Sequence, residues 1–216
     1  TIARDWPGRI PLYYYFDNDR FIFSSELKAF KAIKDVSLQK PEELEPGHFV
    51  EFNLTTKKIK KVKFYKPKNN IIKSETEILN IGQSLHNLLD ESAKNRTMAD
   101  VPICSMLSGG IDSVLTTFYV FKNLDFKNMD YQPTSYVFSV KGFNSTDVEK
   151  ARIAANSFKS IGLKLIEVQA EREEIVNDTP KIIESFEMRK MKALSFYPLP
   201  IYWYLAPRMK KDGFKV

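Results

Sequence analysis

The 216-residue sequence has one cysteine, Cys104, two histidines and eight glycines, and no apolar run near the roughly eighteen residues that span a membrane. A single cysteine excludes an internal disulfide framework and accords with a reducing compartment. Cys104 itself falls in an apolar stretch and reads as a small buried hydrophobe. His48 and His86 have no cysteine or acidic residue at ligand spacing, so each reads as a turn or helix-face residue and no transition metal is expected. The basic-then-apolar layout of a secretory signal is missing from the start of the chain. These absences lead to the expectation of a soluble, cytoplasmic protein. Neither Gly-x-x-x-x-Gly-Lys-Ser/Thr nor Gly-x-Gly-x-x-Gly occurs, which leaves γ-phosphoryl transfer and dinucleotide binding without sequence support. Internal repeats and low-complexity tracts are also missing.

What is present suffices for an ordinary core, with 43% apolar residues. The formal charge of +6 comes from scattered lysines and one dense stretch, Lys57, Lys58, Lys60, Lys61 and Lys63. A solvated face protecting a strand edge explains that stretch more simply than nucleic-acid binding. Residues 10–66 are rich in β-branched and aromatic side chains. They predict a hairpin over 12–16 and 21–24, a short helix over 26–33, and a second hairpin pairing 48–52 with 59–65 after the Pro46-Gly47 turn. Tyr13, Tyr14 and Tyr15, like the aromatic residues between Tyr197 and Tyr204, read as core at strand or helix spacing.

A polar linker over 67–73 separates this region from one of different period. Ser74 and Glu77 make a capping box, and Ile78, Ile81, Leu85, Leu88 and Leu89 recur at helical spacing to about Lys94. Strands over 101–107, 135–140 and 163–168 then alternate with helices over 113–124 and 147–161 and from about Glu171 and Leu199. Such alternation predicts an α/β unit with a parallel sheet and crossover helices. The domains are placed at 1–68 and 69–216. The chain opens at Thr1 and stops just after Lys210-Lys211-Asp212-Gly213, and is expected to be a fragment.

Ser108-Gly109-Gly110-Ile111-Asp112-Ser113 sits between the 101–107 strand and the helix carrying Leu115, Phe118 and Phe121. Adjacent glycines let the backbone approach a ligand, and the amides there and in the first helical turn point outward, which suits an anion. Ser108 and Ser113 offer hydroxyl donors. Asp112 would repel a polyphosphate unless a divalent cation stood between them, so Mg²⁺ is implied. The Ser-Gly-Gly-x-Asp-Ser pattern resembles the loop of ATP pyrophosphatases, which hold the β- and γ-phosphates as a leaving group while attack falls on the α-phosphorus.

Further segments resemble one family. Arg4-Asp5-Trp6-Pro7-Gly8-Arg9-Ile10-Pro11-Leu12-Tyr13-Tyr14, Ser25-Glu26-Leu27-Lys28-Ala29 and Leu44-Glu45-Pro46-Gly47-His48 are similar to segments late in the glutaminase domain of asparagine synthetases, and Val101-Pro102 precedes the loop as it does there. The resemblance implies the β-rich end of an N-terminal-nucleophile glutaminase domain (α+β), followed by an α/β domain like the adenine nucleotide alpha hydrolases. It implies adenylation of the aspartate side-chain carboxylate by ATP with Mg²⁺, then amidation by ammonia from glutamine. Carried over by position, Met106 and Leu107 would flank the adenosine, Ser108, Gly109, Gly110, Asp112 and Ser113 would hold pyrophosphate, and Asp112 would serve catalysis through Mg²⁺. Val140 would contact the adenine, and Glu187 would lie on the substrate side. Asp147 and Ala151 fit an Asp-x-x-x-Ala helix start. Thr1 is not read as a nucleophile, because the residues after it resemble the late part of that domain. The implied partners are small molecules, neither nucleic acid nor membrane, and a homodimer is compatible with the family. A cyclase or amide ligase resembling β-lactam synthetase, or a catalytically retired relative, are the alternatives; Lys141 after Val140 and Arg189-Lys190 after Glu187 depart from the family's usual residues.

Overall fold

The computed structural model describes residues 1–17, 20–67, 74–124, 130–186 and 198–215. The chain divides into two compact units. In the first, β1 (Ile2–Ala3), β2 (Tyr13–Phe16), β3 (Phe21–Ser24), β4 (Glu42–Glu43), β5 (His48–Phe52) and β6 (Ile59–Lys63) form two antiparallel sheets, ordered β1-β5-β6 and β3-β2-β4. Both expected hairpins are present, with Tyr13 opposite Ser24 and Phe52 opposite Ile59. The short helix is of the 3-10 type, Leu27–Ala32.

Alternation along β2 decides its packing, because successive side chains leave a strand on opposite faces. Tyr14 joins Ile2, Leu44 and Val50, whereas Tyr13 joins Leu27, Phe30 and Val36. The lysine-rich strand β6 lies at a sheet edge, with Lys60, Lys61 and Lys63 exposed, as expected of a solvated face. Glu45 does stand 3.4 Å from His48 Nε2, an acidic neighbour that the spacing argument overlooked. Even so, the described residues contain no group of three or more His, Cys, Asp or Glu arranged to hold a metal.

Arg4 ties this unit together from a nearly buried position. Its guanidinium donates to the carbonyls of Ile10 (3.0 Å), Leu44 (2.6 Å) and Gly8 (3.1 Å) and to the Glu43 carboxylate at 2.9 Å. Truncation would strand these acceptors, so Arg4→Ala is expected to destabilise the first unit by about 3 kcal/mol. Urea denaturation checks this; a loss below about 1 kcal/mol would show that water replaces the side chain.

The second unit begins with α1 (Glu75–Arg96), capped by Ser74, whose Oγ accepts from the Glu77 N–H. Its apolar stripe is largely uncovered, with Leu85 and Leu88 more than half exposed. There follow β7 (Ser105–Met106), α2 (Ile111–Lys122), β8 (Thr134–Val140), α3 (Thr146–Ser157), β9 (Lys164–Ala170), α4 (Arg172–Phe186) and α5 (Leu199–Lys211). The strands form a parallel sheet ordered β7-β8-β9, the arrangement that the alternating pattern predicts. The first strand is shorter than expected. Pro102 has no N–H to give a ladder, and the Ile103 N–H donates instead to the Tyr131 hydroxyl.

On β8, Tyr136 faces Leu205, Met209 and Phe214, and Val137 faces Leu107, Val148, Ala151 and Ala155, so α5 and α3 cover opposite faces. On the α3 side Ser105 Oγ lies 2.6 Å from Ser135 Oγ and 3.0 Å from Thr117 Oγ1, a buried hydroxyl chain that fixes α2 against the sheet. Cys104 is only half-buried, yet burial raises its thiol pKa to about 11 and keeps it protonated at neutral pH. His86 serves as a helix-face residue, its Nδ1 2.7 Å from the Tyr119 hydroxyl.

Four carboxylates of this unit titrate below the usual range. Asp90 is held low by hydrogen bonds from Lys122 and Asn123. Glu167 is held low by the Ser139 hydroxyl, Gln169 and Arg152. Asp178 is held low by Tyr204, whose own hydroxyl is pushed up to about 12 by burial and by that carboxylate, and by Trp203 and Lys181. Burial would raise Asp212, but hydrogen bonds from Tyr136 and Arg208 outweigh it. A group whose folded pKa is depressed contributes stability above its unfolded pKa, near 4, and loses it as pH falls through the folded value. The melting temperature is therefore expected to be level from about pH 8 to pH 5 and to drop below about pH 4. Melting unchanged down to about pH 3 would contradict these pairings.

Candidate active site

The loop between β7 and α2 is where strand, glycine pair and helix meet. Its first turn has no side-chain cap, and the first backbone bond of the helix runs from the Val114 N–H to the Gly110 carbonyl at 3.0 Å. The amides of Ile111, Asp112 and Ser113 thus lie ahead of the helical ladder, and Ile111 is 75% exposed. Ser113 Oγ donates to the Gly110 carbonyl (2.9 Å), accepts from the Ser108 N–H (3.2 Å) and lies 3.1 Å from Ser108 Oγ. With that proton committed, the Ser108 hydroxyl is the donor of the 3.1 Å bond to Ser113 Oγ, and it gives up that bond when it turns its proton to an arriving ligand.

The two glycines differ. Gly109 has φ +77°, and a Cβ there would lie 2.4 Å from the Lys150 carbonyl carbon and 2.6 Å from the Ala151 nitrogen. The fold itself demands glycine at that point, because α3 rests on the loop. Fully buried Ala151 makes this approach possible, which gives the Asp-x-x-x-Ala helix start a packing role. Gly110 has φ −72°, and a Cβ there would meet only Ser108 Oγ at an ordinary 3.6 Å. Nothing in the folded chain requires glycine at 110. Its bare face leaves room for a group approaching the helix N-terminus, so the loop is chemically fit for an anion.

Asp112, in the first turn of α2, is exposed and lines a groove of about 500 Å³ with Leu85, Arg96, Leu115 and Tyr119. One accessible carboxylate suits Mg²⁺ that keeps its waters and takes its remaining ligands from phosphate oxygens. Val140, at the carboxyl end of β8, lines two other cavities. One, of about 330 Å³, is apolar, with Phe138, Phe143, Ile175, Pro200 and Ile201. The other, of about 260 Å³, is polar and includes Ser139, Arg152, Glu167 and Gln169. Ligands of open parallel sheets bind at this carboxyl edge.

Ser108, Gly110 and Ser113 are therefore brought together, whereas Asp112 and Val140 line separate cavities. Met106 is 41% exposed, but Leu107 is wholly buried with Val137, Val148 and Ala151. The expectation that Leu107 flanks adenosine is accordingly narrowed to its main chain. Glu187, Arg189 and Lys190 lie outside the described residues. Sequence reasoning missed Phe143, which a local turn places beside Val140 with its N–H donating to the Val140 carbonyl at 3.1 Å, and Lys150, which lies against Gly109 through tertiary packing. Lys141 ion-pairs with Glu171 at 2.6 Å and joins the ends of β8 and β9 beside Val140.

These features define a parallel α/β unit with an anion-ready strand-to-helix turn at the carboxyl edge of its sheet. The Asparagine synthase family profile matches residues 84–216, more than half of the chain, and the chain belongs to that family. It is similar to the probable asparagine synthetase (glutamine-hydrolyzing) of Dictyostelium discoideum, at 28% identity over 99% of this chain and 38% of that protein. Asparagine synthetase (glutamine-hydrolyzing) 1 of Bacillus subtilis is 30% identical over 86% of this chain and 31% of its own length. The Mus musculus asparagine synthetase is 27% identical over 86% and 35%. The chain thus spans about a third of the length of these relatives. No helix among the described residues is long and apolar enough to cross a membrane.

Proposed function

We propose that this chain is part of a glutamine-dependent asparagine synthetase, with residues 1–68 ending a glutaminase domain and 69–216 beginning the ATP-pyrophosphatase synthetase domain. The observation that carries the reading is Gly110, a glycine at a helix N-terminus where the fold would accept a side chain. In this reading the amides of residues 109–113 and the Ser108 hydroxyl grip the β- and γ-phosphates of ATP. Asp112 would hold Mg²⁺, and the ion would supply positive charge to the pyrophosphate end of the nucleotide. Val140 and the Leu107 main chain border the adenosine, Met106 lies beside them, and Glu187 belongs to the substrate side. The loop thereby fixes the triphosphate so that the aspartate side-chain carboxylate attacks the α-phosphorus. Ammonia from glutamine then displaces AMP, giving asparagine.

The test uses the complete protein with aspartate, glutamine and ATP. AMP and pyrophosphate are the expected products, together with exchange of labelled pyrophosphate into ATP. Formation of ADP, or no exchange with any carboxylate, would remove the reading. Turnover of another carboxylate without an ammonia source would instead identify a cyclase.

A further inference from the structure

We infer that Lys150 is a phosphate-binding residue of the loop, supplying a fixed positive charge to the pyrophosphate end of the nucleotide; this rests on the reading of the loop as a pyrophosphate site. The starting point is the close approach at Gly109. The atoms nearest to a Cβ built there are the Lys150 carbonyl carbon and the Lys150 Cβ, both at 2.4 Å. The lysine stem therefore starts against the loop. Its side chain extends about 5 Å from Cβ to the ammonium, enough to reach a phosphate held on the neighbouring amides.

Two further observations fit a ligand-facing role. The Lys150 side chain is exposed, and among the described residues it makes no ion pair or side-chain hydrogen bond. Other lysines near the sheet's carboxyl edge are committed differently: Lys141 is bound to Glu171. Asp147, one turn earlier on α3, does not pair with Lys150, and Glu149 lines the polar cavity beside Val140. The charge balance also requires a cation. Pyrophosphate carries more negative charge than one Mg²⁺ offsets, and Asp112 adds another negative charge to the same loop. A lysine acts on phosphate as a point charge on a flexible stem and needs no rigid fork.

The experiment is titration calorimetry of the complete protein with magnesium pyrophosphate, comparing wild type, Lys150→Gln, Lys150→Arg and, as a control on the same side of the sheet, Lys159→Gln. Lys150→Gln is expected to weaken binding about tenfold and to flatten its salt dependence, since one charge leaves the contact. Lys150→Arg should stay within about threefold of wild type, and Lys159→Gln should match it. A merely structural role would shift the melting temperature and leave the salt dependence alone. Pyrophosphate binding by Lys150→Gln equal to wild type, or an equal loss in Lys159→Gln, overturns the assignment of Lys150 while leaving the loop reading intact. If wild type binds neither pyrophosphate nor ATP, the loop reading fails and the lysine goes with it.

Discussion

Asp112→Ala is expected to reduce exchange of labelled pyrophosphate into ATP by the complete protein about a thousandfold, while changing stability by less than about 1 kcal/mol. The two effects separate because of where the residue sits. Asp112 is exposed and, among the described residues, its side chain makes no hydrogen bond or ion pair. Removing it takes away only a favourable helix-dipole interaction in the first turn of α2, worth a few tenths of a kcal/mol. Its proposed charge partner, Mg²⁺ on the leaving phosphates, is what the alanine variant would lose. Asp112→Asn separates charge from shape, because the amide keeps the size and loses the charge; it should fail nearly as badly. Exchange retained by both variants would take Asp112 out of the mechanism, and unfolding of both would show that the residue packs rather than binds.

How much of this was legible in the residues depends on the range of the interaction. Local signals served well: the Ser74 cap, both hairpins and the β8 and β9 strands follow from caps, turns and alternation. Each depends on neighbours within a few positions. The order of strand, glycine pair and helix was equally readable, since the loop is contiguous. Contacts between distant segments were not. Burial of Leu107 follows from α3 closing over it, and Lys150 meets Gly109 across forty residues that spacing cannot measure. The length of β7 was overestimated because apolar composition over 101–107 says nothing about which N–H groups find partners. Periodicity along α1 gave the helix, but it could not say that Ile78, Leu85 and Leu88 would remain exposed in this chain.

The paired glycines give the sharpest division between fold and chemistry. Gly109→Ala places a methyl 2.4 Å from α3 backbone and side-chain carbon, in a left-handed conformation that costs an L-residue roughly 1–2 kcal/mol before any clash. Because the obstructing atoms include main chain of α3, they cannot move aside without shifting a helix that carries Val148, Ala151 and Ala155 into the core. The expected loss is about 3–5 kcal/mol, read by chemical denaturation of the second unit's transition. Gly110→Ala meets neither obstacle: its φ of −72° is ordinary, and its methyl would sit 3.6 Å from Ser108 Oγ. Its stability should stay within about 0.5 kcal/mol of wild type. The methyl would, however, stand on the bare face of the helix start, and affinity for magnesium pyrophosphate should fall about tenfold or more. A Gly110→Ala variant that binds as tightly as wild type would mean that nothing needs that space. The absent side chain would then have to be explained as a helix-start preference, and the anion site would lose the one feature of the loop that packing does not account for.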